Sequence, residues 1–322
     1  MEAVKALEVV TPGPMSTVQD LGRLGAGRYG VPRSGAVDGF SLRAANLLVE
    51  NEEAEAGIEV TLMGLKVRAL STLTVAVTGG DLQPALNGHP FPMWRSHEVE
   101  KGDELSFQGP KTGCRAYLAV SGGIHVPRVL GSRSTNLRAG FGGLEGRSLR
   151  QGDVLFAGSE GKVRNRKGRV FPETAVPSFP SRIRVRTVPG PQADQFPKEA
   201  LERFHDADFE VTPRSDRTGI RLAGPSIQRK PGLAGSIISE GVVPGAVQVP
   251  GDGNPILILG ETVTGGYRKI ATVISADVPL LGQARPGHRI RFQAVTLEEA
   301  HKAFQKVEAV FEELRFRMSG RP

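Results

Sequence analysis

Cysteine, tryptophan and tyrosine are scarce in this 322-residue chain, which contains one, one and three of them. A single thiol, Cys114, permits no internal disulfide and no Cys-x-x-Cys start for a zinc site, so a small buried apolar role beside the Ala116-Tyr117-Leu118 strand is expected. The six histidines show neither HExxH nor any other metal-ligand spacing, and no metal site is expected. Long apolar runs are missing as well. No stretch approaches the roughly 20 apolar residues that span a bilayer. Met1 to Val10 interleaves Glu2, Lys5 and Glu8 with apolar residues, unlike a signal peptide. These absences predict a cytoplasmic protein with no membrane contact.

Common motifs for phosphate and acyl chemistry are also absent. There is no G-x-x-x-x-G-K-[ST] and no G-x-S-x-G elbow. Gly25, Gly27 and Gly30 have the spacing of a dinucleotide fingerprint, but Val31-Pro32 follows and keeps the chain extended where a helix would have to open.

The net charge of +7 is local. Between Gly161 and Arg186 stand eight basic residues and one acid, Glu173, which accounts for the whole excess. Pro172, Pro177 and Pro180 fall in the same stretch and no aromatic stacking platform accompanies it, so it reads as a connection and not as a nucleic-acid arm. The resulting division is an N-terminal β-barrel domain over 1–160, a basic proline-containing linker over 161–181, and a C-terminal β-barrel domain with a terminal helix over 182–322.

With 39% hydrophobic residues the chain can bury a core in each of two domains. Glycine (41) and proline (23) punctuate short β-branched runs: LTVAVTG, RAYLAVSGG, RIRVRTVPG, PILILGE, KIATVISAD and HRIRF. This pattern predicts a mainly β protein with a few helices. One helix is expected to start at an Asp38 cap, one to cover about Asp194 to Phe204, and one to follow the capping-box pair Thr296 and Glu299 with Leu297, Ala300, Phe304, Val307, Phe311 and Leu314 as its apolar stripe. The order of strand, Gly-Gly turn and basic residue around Gly122 recurs around Gly265, a faint sign of duplication.

Three glycine-bounded polar stretches are candidates for anion chemistry. The first joins Gln19, Asp20 and Arg23 with Ser34, Asp38, Arg43 and Asn46 around a helix N-terminus, which offers free N–H donors. Arg133, Ser134, Thr135 and Arg138 lie in the second, VLGSRSTNLRAGFGGLEGR, where glycines allow curvature and arginines supply forks for carboxylate or phosphate. An omega loop tied down by its own hydrogen bonds is the alternative there. In the third, Thr264-Gly265-Gly266 is able to form a nest beside Tyr267 and Lys269, or simply a glycine hairpin.

Seven ordered motifs, among them STVQDLGRLG, AYLAVSGGIHVPRVLGSRSTNLRAGFGG, VPGPQADQF, SEGVVPGAVQVPGDGNPILIL and TGGYRKIATVISAD, closely resemble the biotin-dependent carboxyltransferase family. Its members include the C component of bacterial 5-oxoprolinase, the KipI antagonist, and the carboxyltransferase domain of urea carboxylase. The resemblance implies two cyclophilin-like β-barrels. It further implies one component of an ATP-dependent 5-oxoprolinase that opens 5-oxoproline to L-glutamate with a KipI-like B component and an A component. ATP, with Mg, would be shared with a partner component. Asp20, Asp38 and Lys269 would be catalytic, and Arg23, Ser34, Arg43, Asn46, Arg133, Ser134, Thr135, Thr264, Gly265, Gly266 and Tyr267 would bind substrate or anion. Carboxyl transfer from carboxybiotin is one alternative; with no Met-Lys-Met biotin site and no ATP-grasp segment in the sequence, both would be supplied in trans. A non-catalytic protein that sequesters KipI is another. His125, Thr218, Glu261 and Val263 depart from the family pattern, which weakens any role for His125 and Glu261.

Overall fold

The computed structural model describes residues 3–158 and 168–318. The basic residues 162, 164, 166 and 167 of the expected linker lie outside them. The described residues fall into two units: 3–24, 34–158, 168–179 and 310–318 in the first, 25–33 and 180–309 in the second. Strands dominate, and the α-helices among the described residues are α1 (Gly39–Leu48), α2 (Lys198–Asp206), α3 (Val278–Leu281) and α4 (Leu297–Met318).

The first unit contains two sheets. A seven-stranded sheet runs Ile124–His125, Val154–Gly158, Ala3–Pro12, Leu65–Ala69, Glu104–Phe107, Pro84–Leu86, His89–Pro90, and a five-stranded sheet runs Met15–Gln19, Gly57–Thr61, Arg115–Val120, Leu73–Gly79, Ser96–Val99. Alternation explains how they meet. Leu65, Val67 and Ala69 point into the core while Lys66 and Arg68 face out, and Ile58, Val75 and Leu118 of the other sheet join the same cluster. Strands Leu73–Gly79 and Arg115–Val120 are buried on both faces because α1 packs against them. Asp38 caps α1 as expected, its Oδ1 accepting the Ser41 amide at 2.9 Å, an interaction worth about 1 kcal/mol.

The second unit is a closed seven-stranded barrel in the order Arg182–Pro189, Arg268–Val273, Ala246–Val249, Ile256–Ile258, Gly219–Ala223, Asp208–Val211, Arg289–Ala294. Ile183, Val185, Ile290 and Phe292 fill its interior, and the arginines between them point outward. A short two-stranded arm pairs Glu240–Gly241 with Thr264–Gly265.

Three expectations need correction. The helix expected over Asp194 to Phe204 is instead a 3₁₀ turn, Ala193–Gln195, followed by α2. Pro197 separates them, because it holds Phe196 extended and can itself only begin a helix. The apolar stripe of α4 is not buried along its length: Leu297 is 66% exposed and Phe304 47%, whereas Ala303, Phe311 and Leu314 are buried. In the first half the buried position is Ala303, one residue off the expected stripe and so about 100° round the helix from Phe304. The proline-containing connection is anchored at residues 169–171. Phe171 is buried against Trp94 and Phe40, and Val170 bridges Arg95.

Candidate functional site

The polar residues of the first unit are joined to one another. Asp20 is buried, and its carboxylate accepts Ser132 Oγ at 2.6 Å, Gly22 N at 2.8 Å, Arg133 N at 2.6 Å and Ser134 Oγ. Gln19 Nε2 and Thr135 are tied to the same pairing of segments, through Thr135 O at 3.2 Å and Val18 O at 2.9 Å. Arg23 donates to Val129 O at 3.1 Å and to Ser134 O, and its guanidinium lies 4.6 Å from the centre of the Phe141 ring.

This arrangement answers the anion-loop expectation for residues 129–147. Several loop N–H groups already have acceptors: Arg133 N donates to Asp20, Gly140 N and Phe141 N to Asn136 O, Gly143 N to Arg133 O and Gly146 N to Gly142 O. Its glycines serve packing. Gly142 and Gly143 have φ of 69° and 55°, and a Cβ there would collide with Ser134 O and Thr135 Oγ1 respectively. The Arg133 side chain is committed as well, its Nη1 donating to Glu55 Oε2 at 2.8 Å and its Nε to Val126 O at 3.3 Å. The loop is held both by its own hydrogen bonds and by bonds to Val18, Asp20 and Glu55 outside it.

Around α1, Asn46 Nδ2 donates to Glu55 O at 2.7 Å, and its Oδ1 accepts Asn51 Nδ2 at 3.0 Å. Arg43 donates to Glu53 Oε2 at 2.6 Å and lies 3.7 Å above the Phe311 ring. Ser34 Oγ accepts Asn136 Nδ2 at 3.0 Å. Sequence reasoning missed the group behind Asp38. Tyr117 Oη accepts the Asp38 amide at 2.8 Å and donates to Glu59 Oε2 at 2.8 Å, and Arg115 lies 3.5 Å from Glu59 Oε1. Burial, reinforced by the Glu59 charge, raises the Tyr117 hydroxyl well above the ordinary tyrosine value, so it stays a donor. One signal was available: Glu59 is a lone charge within a strand that is otherwise apolar or small, GIEVT.

In the second unit the structure gathers Lys269, Glu240, Gln192 and Gln248. The Lys269 side chain is only 5% exposed, and its Nζ donates to Glu240, which is 43% exposed. Gln192 joins the pair from behind, donating to Glu240 Oε1 at 2.7 Å and accepting the Lys269 amide at 3.0 Å. Lys269 and then Gln192 hold the Glu240 carboxyl below the ordinary glutamate range. Gln248 is opposite Lys269 in the strand register and buried, with no hydrogen-bond partner for its side-chain nitrogen among the described residues. A Cβ at Gly265 would collide with that amide. Thr264 and Gly265 belong to the extended arm, and neither Gly265 nor Gly266 has a positive φ, so the expected nest does not form. Tyr267 is exposed beside them. Among the described residues no group of three or more His, Cys, Asp or Glu side chains is able to hold a metal ion.

The profile of the carboxyltransferase domain, subdomain A and B, matches residues 29–294. The chain belongs to this carboxyltransferase family. It is 37% identical to the C component of Escherichia coli 5-oxoprolinase over 314 residues, which covers 97% of this chain and 98% of that one. The corresponding C component of Haemophilus influenzae 5-oxoprolinase is 35% identical over 311 residues, 96% and 97% of the two chains. The crystal structure of Kluyveromyces lactis urea amidolyase superposes with a TM-score of 0.90 at 31% identity, covering 98% of this carboxyltransferase-family chain but only 20% of the amidolyase. The mainly β reading with few helices holds for a member of this family.

Proposed function

We propose that this chain is the C component of an ATP-dependent 5-oxoprolinase, acting with a KipI-like B component and an A component to convert 5-oxo-L-proline to L-glutamate. The observation that carries the reading is the two-way coverage of the 5-oxoprolinase relatives, 97% of this chain and 98% of the Escherichia coli one. Within the chain, the chemistry is assigned to the Lys269 group. Hydrolytic opening of a lactam places negative charge on the carbonyl oxygen, and a buried ammonium set in advance by Glu240 and Gln192 stabilises that charge without reorganisation. Gln248 supplies an amide beside it to orient the substrate carboxylate or carbonyl. Asp20 and Asp38, with their oxygens engaged by Ser132, Ser134 and Ser41, serve as scaffold.

Arg133 and several N–H groups of the 129–147 loop are engaged by protein partners, which counts against a triphosphate there. Nucleotide binding is accordingly assigned to a partner component. A second reading, carboxyl transfer with carboxybiotin supplied in trans, is favoured by the fold likeness to urea amidolyase.

The test is reconstitution of this chain with the A and B components and measurement of glutamate release from 5-oxoproline, with ATP present or absent and each component omitted in turn. ATP-dependent release that vanishes without this chain is expected. A stable complex with no release, together with consumption of carboxybiotin, would move the assignment to carboxyl transfer.

A further inference from the structure

The barrel carries an open apolar basin of about 470 Å³ beside α2, whose lining does not include Lys269, Glu240, Gln192 or Gln248. Val188, Pro189, Phe196, Leu201 and Ile270 form much of its wall. Its inward polar atoms are occupied: Thr187 Oγ1 donates to Gln293 O at 3.4 Å, and His205 Nδ1 lies 2.9 Å from Leu201 O. A second groove of about 410 Å³ adjoins it, sharing His205 and Ala294 and lined by Arg184 and Arg291. Four cations, Lys198, Lys230, Arg184 and Arg291, and a single carboxylate, Asp194, therefore line the joined space.

Two features of this surface bear on what it would bind. Arg184 and Arg291 are directly opposite each other on neighbouring parallel strands, with Asp208 opposite Arg291 on the other side, so the pair of like charges is only partly offset within the sheet. The cations at the rim are only loosely neutralised. Arg291 is 3.9 Å from Asp206, Lys198 is 3.5 Å from Glu202, and Arg184 has no ion pair among the described residues. A carboxylate arriving from elsewhere would relieve the opposition. The basin offers no buried, unengaged polar group of the kind that orients a small ligand, whereas a run of apolar side chains flanked by acids matches both its wall and its rim.

The geometry points to this basin as the docking site for an acidic, apolar-anchored segment of a partner component of the enzyme, an inference that rests on the 5-oxoprolinase reading above. Apolar side chains of that segment enter between α2 and strand Arg182–Pro189, and its carboxylates bridge Arg184 and Arg291. Rim charges of this kind govern encounter rate and salt sensitivity, while the apolar anchor sets the dissociation rate.

The experiment measures the Kd of this chain for the A and B components, separately and together, at low and high salt. Three variants are compared with wild type: the double charge reversal Arg184→Glu/Arg291→Glu, the basin variant Leu201→Asp, and Lys111→Glu in the first unit as a control. The first two are expected to weaken assembly at least tenfold, the charge reversal also flattening the salt dependence, and the control to stay within twofold. Arg184 and Arg291 point outward from the barrel, and because Arg291→Glu meets Asp208 across the strand pair, a melting curve checks that each variant keeps the fold before its Kd is compared. Wild-type assembly with both groove variants within twofold of it would overturn the docking site while leaving the 5-oxoprolinase reading standing. Failure of the wild-type chain to assemble with either component would overturn that reading, and this inference with it.

Discussion

Ser134 Oγ accepts the backbone amide hydrogen of Asp20 at 3.0 Å and donates its own proton to the carboxylate of that same residue. The two residues are 114 positions apart, so this reciprocal bond closes the first unit's polar loop onto strand Met15–Gln19. A carboxylate with four donors is chiefly an organiser of structure, and its removal strands all of them in a buried place.

Asp20→Ala is therefore expected to destabilise the first unit by about 3 kcal/mol, read from urea denaturation. A variant that melts within about 1 kcal/mol of wild type yet loses all activity in the assembled enzyme would instead make Asp20 a reacting group.

The glycines of the same loop should separate into two classes. Gly143→Ala meets Thr135 as well as a φ of 55°, and a loss of about 3 kcal/mol is expected. Gly140→Ala, with φ 67° and nothing within 4 Å of the added carbon, suffers backbone strain alone, about 1 kcal/mol. Equal losses in the two variants would contradict the packing account.

Phe311 holds α1 from outside, its ring 5.0 Å from Phe40 and under the Arg43 guanidinium, with Arg315 donating to Glu53 at 2.7 Å nearby. Phe311→Ala should cost about 3 kcal/mol and increase hydrogen exchange in Gly39–Leu48. Unchanged exchange in α1 would show that the helix stands without this support.

Lys269→Met keeps length and burial but removes the charge. At least a hundredfold loss of kcat in the reconstituted enzyme is expected, with unchanged circular dichroism. Retained turnover would remove Lys269 from the chemistry.

Stability should fall on mild acidification. Burial lowers the imidazole pKa of His97, His125 and His288, with the Arg95, Arg133 and Arg285 charges acting in the same direction. Because the folded values lie below the unfolded one of about 6.5, the unfolded chain binds protons first as pH drops. The contribution is fully present above about pH 6.5 and is lost progressively below it. A Tm that is level from pH 8 to 7 and declines from pH 7 to 5 is expected. A Tm that rises across that lower range would contradict it.

What could be read from the sequence was mostly local. Short β-branched runs bounded by glycine turns, such as LTVAVTG and RAYLAVSGG, became strands Leu73–Gly79 and Arg115–Val120, because branched side chains favour extended backbone. Asp38 and the Thr296–Glu299 pair could be assigned as caps because donor and acceptor are within one turn of each other. The purpose of the polar residues was not legible in that way. Arg133 meets Glu55, 78 positions away, and Asp20 meets Ser134 across 114, so only the closed tertiary structure shows that these anion-seeking side chains already have partners. The burial of Lys269 against Glu240 and the isolation of Gln248 opposite it were likewise decided by strand register, a long-range pairing that no spacing along the chain encodes.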